Sequence, residues 1–177
     1  MAKNSTIYKA NLSIADSERN HYSDYQLTLA CHPSETTERM MMRILAFALN
    51  ADKQLAPAAG MSDADEPDLW QKDLTGAISR WIEVGQPDER RILKACGRAD
   101  EVIIYTYGTK PKLWLESVEN KIAKAKNLKI YSINAESCKA LAILAERSMD
   151  LQITIDHDEI WVRSENGEVS VEVKRLR

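Results

Sequence analysis

Three consecutive segments constrain this chain most: EVIIYTYG (101–108), a helical segment from Pro111 to about Lys126, and LKIYSIN (128–134). Two β-branched runs separated by a helix are the signature of a parallel βαβ unit, so the fold must contain a sheet with helices packed on it. At 177 residues the chain falls in the one-domain range and can bury a sizeable core. Its apolar share of 44% argues against wholesale disorder. We therefore read residues 1–177 as a single mixed α/β domain.

The flanking segments add strands at both ends. Residues 6–14 (TIYKANLSI) and 25–31 (YQLTLAC) alternate like strands and are joined by the polar stretch Ala15–Asp24, which suggests an antiparallel N-terminal hairpin. Pro33 ends the second strand, and Ser34 is read as the N-cap of a helix running to about Asp52, with Glu35 in its first turn. Met41, Ile44, Leu45 and Ala48 then recur at helical spacing as one buried stripe. Residues 53–67 carry two prolines, a glycine and an acidic cluster, and read as a loop. The segments DLWQKD and AISRWIEVG form a second hairpin around Thr75-Gly76. Gln86-Pro87-Asp88-Glu89 opens the next helix, whose inward residues are Ile92, Ala95, Cys96 and Ala99. A last helix (135–147) leads to strands at 149–156, 159–164 and 168–175, a meander placed at the end of the mixed sheet, with Asn166-Gly167 as a strong turn signal.

The second hairpin carries the most suggestive chemistry. If Leu74 pairs with Ala77, then Trp70 faces Trp81 and Asp68 faces Glu83, with all four side chains on one face. Directly opposite Cβ atoms lie about 4.5–5.5 Å apart, so two ionised carboxylates there need a cation or strong donors between them. Glu38 precedes Met41 by three residues and Leu45 by seven, beginning the buried stripe one turn early; Glu35 lies at the stripe's edge. Carboxylates from a helix and two strands would suit a hard cation such as Mg²⁺. The alternative is structural: Asp68 caps the turn after Pro67, and Glu83 pairs with Arg80, Arg90 or Lys72.

The order of a helix with an acid, a Pro-Asp strand, a strand carrying Glu and a further helix resembles the PD-(D/E)XK nuclease superfamily. More specifically, HPSETTERMM (32–41), DEPDLW (65–70), WIEVGQPDERRILKAC (81–96) and the end of the YTYG strand resemble the YaeQ family, with similarity running nearly end to end. The resemblance implies a restriction-endonuclease-like core with added N- and C-terminal strands. It also implies Mg²⁺ held by Asp68 and Glu83, with Glu38 or Glu35 as the helical acid, and nucleic acid as the substrate or ligand. A metal in that position would lower the pKa of the attacking water and neutralise phosphate charge. The lysine such sites carry two residues after the second acid is Gly85 here. Arg90, Arg91 and Lys94 of the next helix are the replacements on offer, although at about 100° per residue Lys94 points away from the inward stripe. A second reading follows: the fold without its lysine serves as a non-enzymatic adaptor or regulator with a protein partner.

Other classes find little support. A net charge of −3 argues against a dedicated non-specific nucleic-acid binder. Cys31, Cys96 and Cys138 are scattered, as reduced thiols of a cytosolic protein would be. His21, His32 and His157 have no metal-ligand spacing, and no Gly-rich phosphate loop occurs. With no secretory h-region and no membrane-length apolar run, the expectation is a soluble, cytoplasmic protein without membrane association.

Overall fold

A computed structural model describes residues 4–177. One mixed ten-stranded sheet organises the chain: β1 (Thr6–Asp16), β2 (His21–Cys31), β3 (Leu55–Pro57), β4 (Leu69–Lys72), β5 (Ile78–Val84), β6 (Ala99–Gly108), β7 (Leu128–Asn134), β8 (Ser148–Asp156), β9 (Glu159–Ser164) and β10 (Gly167–Arg175). Among the described residues, four α-helices join it: α1 (Thr37–Leu49), α2 (Glu89–Arg98), α3 (Pro111–Ile122) and α4 (Ala135–Ile143). The strand order is β2-β1-β8-β9-β10-β7-β6-β5-β4-β3. Strands β5, β6 and β7 run parallel, as the βαβ reading requires.

The C-terminal meander is not at the end of the sheet. β8 pairs in parallel with β1, and β10 pairs antiparallel with β7, so the meander joins the N-terminal hairpin to the parallel strands. Local periodicity identifies strands but not their distant partners, which explains the difference. One apolar cluster draws residues from both halves of the sheet, Leu12 and Leu29 on one side and Leu69 and Ile82 on the other, around α1 and α4. The sheet therefore wraps around these two helices. The opposite face of β5–β7 holds a second cluster with α2 and α3, including Trp81, Ile92, Val102 and Ile130.

Helix α1 is buried on every side from Met40 to Ala48, not along one stripe, as expected of a helix enclosed by a sheet. Its N-cap is Thr36, whose Oγ1 accepts from the Arg39 amide at 3.1 Å. Ser34 instead bonds the His32 Nδ1 at 2.6 Å in a separate turn that leaves Glu35 outside the helix. Thr36→Ala should therefore destabilise the fold by about 1 kcal/mol, read by urea unfolding, while Ser34→Ala should change little.

Other boundaries shift for identifiable reasons. β1 and β2 continue through the stretch read as a linker and meet at a turn where Asn20 adopts a positive φ of 52°. The segment read as a loop contains β3 and a 3₁₀ turn at Gly60–Ser62. In the β4–β5 hairpin the turn spans Asp73–Gly76: the Asp73 Oδ1 accepts from the Thr75 and Ala77 amides, and Leu74 is exposed. A bulge beside Gln71 and Lys72 then restores the pairing of Trp70 with Trp81. Among the described residues, no helix is long and apolar enough to cross a membrane.

Candidate functional site: buried carboxylates held by arginines

Trp70 and Trp81 sit edge to face, with ring centroids 6.3 Å apart at 75°. They pack on the α2 side of the sheet. Glu83, two residues along β5 from Trp81, points the same way. Its carboxylate accepts from the Trp81 Nε1 at 2.9 Å and from the Arg91 Nε of α2 at 2.7 Å. Burial raises the Glu83 carboxyl above its usual range, while Arg91 and the indole N–H pull it back and the nearby Asp68 charge adds to the rise.

Asp68 does not share that face. It stands one residue before the β4 ladder, where its carbonyl accepts from the Ala58 amide. Its carboxylate turns to the end of β5 and accepts from the Val84 amide at 2.8 Å. Arg39 of α1 reaches the same carboxylate with one nitrogen, at 2.9 and 3.1 Å, and also donates to the Val84 carbonyl at 3.1 Å. The two acids are thus near neighbours in register, yet they are neutralised by arginines from opposite helical layers. Gly60 packs against Asp68 so closely that a Cβ there would lie 2.8 Å from its Oδ1.

The helical acids separate as well. Glu35 joins the arginine network: its carboxylate accepts from Arg43 at 2.9 Å and lies 3.7 Å from Arg39. Arg43 is buried and also donates to the Ala30 carbonyl of β2 at 3.0 Å. Burial works against the Arg39 charge, but Asp68 and Glu35 outweigh it and hold its pKa above the usual value. Glu38 is outside this network, and its charge reinforces the effect of burial on the Cys138 thiol of α4, pushed up to about 11. Glu38, Asp68 and Glu83 do not converge, and among the described residues no three acids, histidines or cysteines form a cation-binding group.

The basic candidates are also spread out. Arg91 is the guanidinium on Glu83, Lys94 is an exposed partner of Asp65, and Arg90 is exposed beside Trp114 and Lys121. Gly85, at the expected lysine position, has φ +119° and donates its amide to the Tyr105 carbonyl at 2.9 Å. Open space surrounds it, so its positive φ, not crowding, favours glycine there.

Sequence reasoning missed Arg39 and Arg43. The signal was present: Glu35, Arg39 and Arg43 recur every four residues, and Arg43 interrupts the apolar run MMM-R-ILAFAL. A charge inside such a run needs a buried counter-charge.

A wrapped, ten-stranded mixed α/β sheet with arginine-neutralised acids between its strands and helices defines the class of this protein. The chain belongs to the YaeQ family: the family model described as "YaeQ protein" matches residues 1–173. It is 41% identical over 172 residues to "Uncharacterized protein YaeQ" of Escherichia coli (strain K12), covering 97% of this chain and 95% of that one. The protein of the same description from Salmonella typhi is 40% identical over 174 residues, covering 98% and 96%. Two crystal structures share the fold. YaeQ protein from Xanthomonas axonopodis pv. citri gives a TM-score of 0.94 at 38% identity, covering 98% of this chain and 99% of that one. YaeQ protein from Pseudomonas syringae gives 0.94 at 35%, covering 98% and 96%.

Proposed function

We propose that this protein is a binding protein, an adaptor or regulator, on a restriction-endonuclease-like core whose metal-binding acids have become structural. One observation carries the reading: three of the four candidate carboxylates already have a cation, and the fourth, Glu38, stands apart from them. Asp68 is held by Arg39, Glu83 by Arg91 and Glu35 by Arg43, with side-chain exposures of 2%, 6% and 3% for the acids. A Mg²⁺ site needs carboxylate oxygens free to bind the ion and room for the waters it retains. The donor set here does not fit that requirement. Displacing a guanidinium would leave a largely shielded arginine without its partner, a large cost that the ion would have to offset.

The Gly85 geometry supports the same reading. A lysine in its place would adopt a positive φ, and Gly85→Lys should destabilise the fold by about 1 kcal/mol without creating cleavage activity.

The test sets this reading against the metal-dependent nuclease. Purified protein is incubated with DNA and RNA in millimolar Mg²⁺ or Mn²⁺, and metal binding is followed by calorimetry for wild type and Asp68→Asn. We expect no cleavage and no saturable heat in either protein. Reproducible cleavage by wild type, abolished in Asp68→Asn, would overturn the proposal and restore Asp68 and Glu83 as ligands, with Arg90, Arg91 or Lys94 facing phosphate.

A further inference from the structure

The segment between Ala58 and Pro67 crosses the exposed side of α2, and α2 grips it through one row of basic side chains. Arg91, Lys94 and Arg98 lie three and four residues apart and so share a helix face. Arg91 donates to the Ala64 and Glu66 carbonyls, both at 2.7 Å. Arg98 donates to the intervening Asp65 carbonyl at 2.8 Å, and Lys94 pairs with the Asp65 carboxylate. Three successive peptide carbonyls and one acidic side chain are thereby read by three cations.

The row is held from behind. The Arg91 Nε is fixed by Glu83, and the Arg98 guanidinium lies over the Trp81 ring at 5.0 Å. Such a surface is organised before its ligand arrives, which lowers the entropy lost on binding. The strap is tied at its two ends, where the Gly60 amide donates to the Pro67 carbonyl and the Ala59 amide to the Glu66 carboxylate, both at 2.9 Å. Gly60 and Pro67 are buried, but Met61 to Asp65 between them are all exposed, and the bonds from α2 to Ala64 and Asp65 are charge-assisted and open to solvent. Interactions of this type are weakened by salt and exchange readily with competitors.

The geometry points to the Arg91–Lys94–Arg98 face of α2 as a docking site for an acidic, turn-forming peptide segment of a partner protein, occupied in the free protein by the chain's own Ala64-Asp65-Glu66 turn. The occupant in cis defines the ligand: a carbonyl, then a carbonyl with a carboxylate, then a carbonyl, on consecutive residues. A cluster of cations that takes acidic motifs is a recurring mode of peptide recognition, and guanidinium forks suit it because their donors have fixed directions. The tethered strap competes at a high local concentration, so a partner succeeds by presenting more acidic contacts or by arriving on a second anchor. This inference deepens the binding role proposed above and rests on it. The two fail differently, since that role falls to nucleic-acid cleavage and this one to peptide binding.

The probe is a fluorescein-labelled peptide, Ser-Asp-Ala-Asp-Glu-Pro-Asp, the sequence of residues 62–68, followed by anisotropy at low salt. Asp63→Lys/Asp65→Lys, which repels the strap from α2, should bind it roughly tenfold more tightly than wild type. Adding Lys94→Glu and Arg98→Glu should remove the gain. In wild-type protein, which avoids any folding defect of the variants, excess unlabelled peptide should speed amide exchange across residues 61–66 and leave α1 unchanged. Equal affinity of the strap variant and wild type, with strap exchange unmoved by peptide, would overturn the assignment. So would binding that survives Lys94→Glu/Arg98→Glu. A single-stranded oligonucleotide of matched charge is run in parallel; capture of the oligonucleotide but not the peptide would show that the face reads charge alone and would likewise refute the peptide site.

Discussion

Asp68→Ala should lower the unfolding free energy by about 3 kcal/mol, making it among the most damaging single substitutions in the protein, even though Asp68 bears no apolar load. Two losses combine. The Val84 amide at the end of β5 loses the carboxylate that satisfies it, at 2.8 Å, in a buried setting. Arg39 loses its main counter-charge while its side chain stays only 17% exposed, leaving Glu35 at 3.7 Å as its nearest carboxylate. Removing one member of a shielded ion pair costs far more than the pair itself contributes, because the survivor keeps its desolvation penalty. Arg39's residual exposure places the figure at the lower end of the range for such pairs.

Companion variants separate the two losses. Asp68→Asn retains an oxygen for the Val84 amide but not the charge, so it should fall between wild type and alanine. Arg39→Met removes the stranded cation and should recover part of the loss when added to Asp68→Ala, read as a rise in urea midpoint at constant slope. If Asp68→Ala costs less than about 1 kcal/mol, the pair is not holding this end of the sheet, and the carboxylate would be better regarded as kept for binding.

How far the sequence anticipated this site depends on the range of the interaction. The pairing of Trp70 with Trp81 was legible because the aromatic pair, the turn residues and alternation all lie within about a dozen residues and agree. The expected Leu74–Ala77 closing pair is one residue out, since Asp73 bonds Ala77 instead, and the bulge beside Gln71 and Lys72 absorbs that one residue, so Trp70 still meets Trp81. Asp68 escaped the alternation rule because the ladder starts only at Leu69, leaving its side chain free to follow the hydrogen bonds available to it. The expected acid cluster extends a local inference to Glu38, but it is the next residue, Arg39, that reaches Asp68. One step of about 100° around the helix decided which charge met the strand. The position of β8–β10 in the middle of the sheet was not legible, because strand order across the molecule depends on long-range pairing that no local pattern records.

Gly60→Ala should destabilise the fold by about 2–4 kcal/mol, from two sources that a double-mutant cycle can separate. The first is backbone: Gly60 has φ +54°, a left-handed conformation that costs an alanine about 1–2 kcal/mol. The second is contact: the new Cβ would fall 2.8 Å from the Asp68 Oδ1, well inside van der Waals distance. A surface side chain would rotate away. Asp68 has little freedom to do so, because Val84 and Arg39 fix its carboxylate from the other side. The methyl must therefore either push the 3₁₀ turn outward or break the ion pair. Placing Gly60→Ala in the Asp68→Ala background removes the atom it strikes while keeping the backbone strain. The second substitution should then cost only the left-handed term, so the double variant should be more stable than the sum of the single losses implies, by about 1–2 kcal/mol. Strict additivity in urea unfolding would mean that the turn at Gly60 yields freely and that Asp68 is not clamped between the strap and α1.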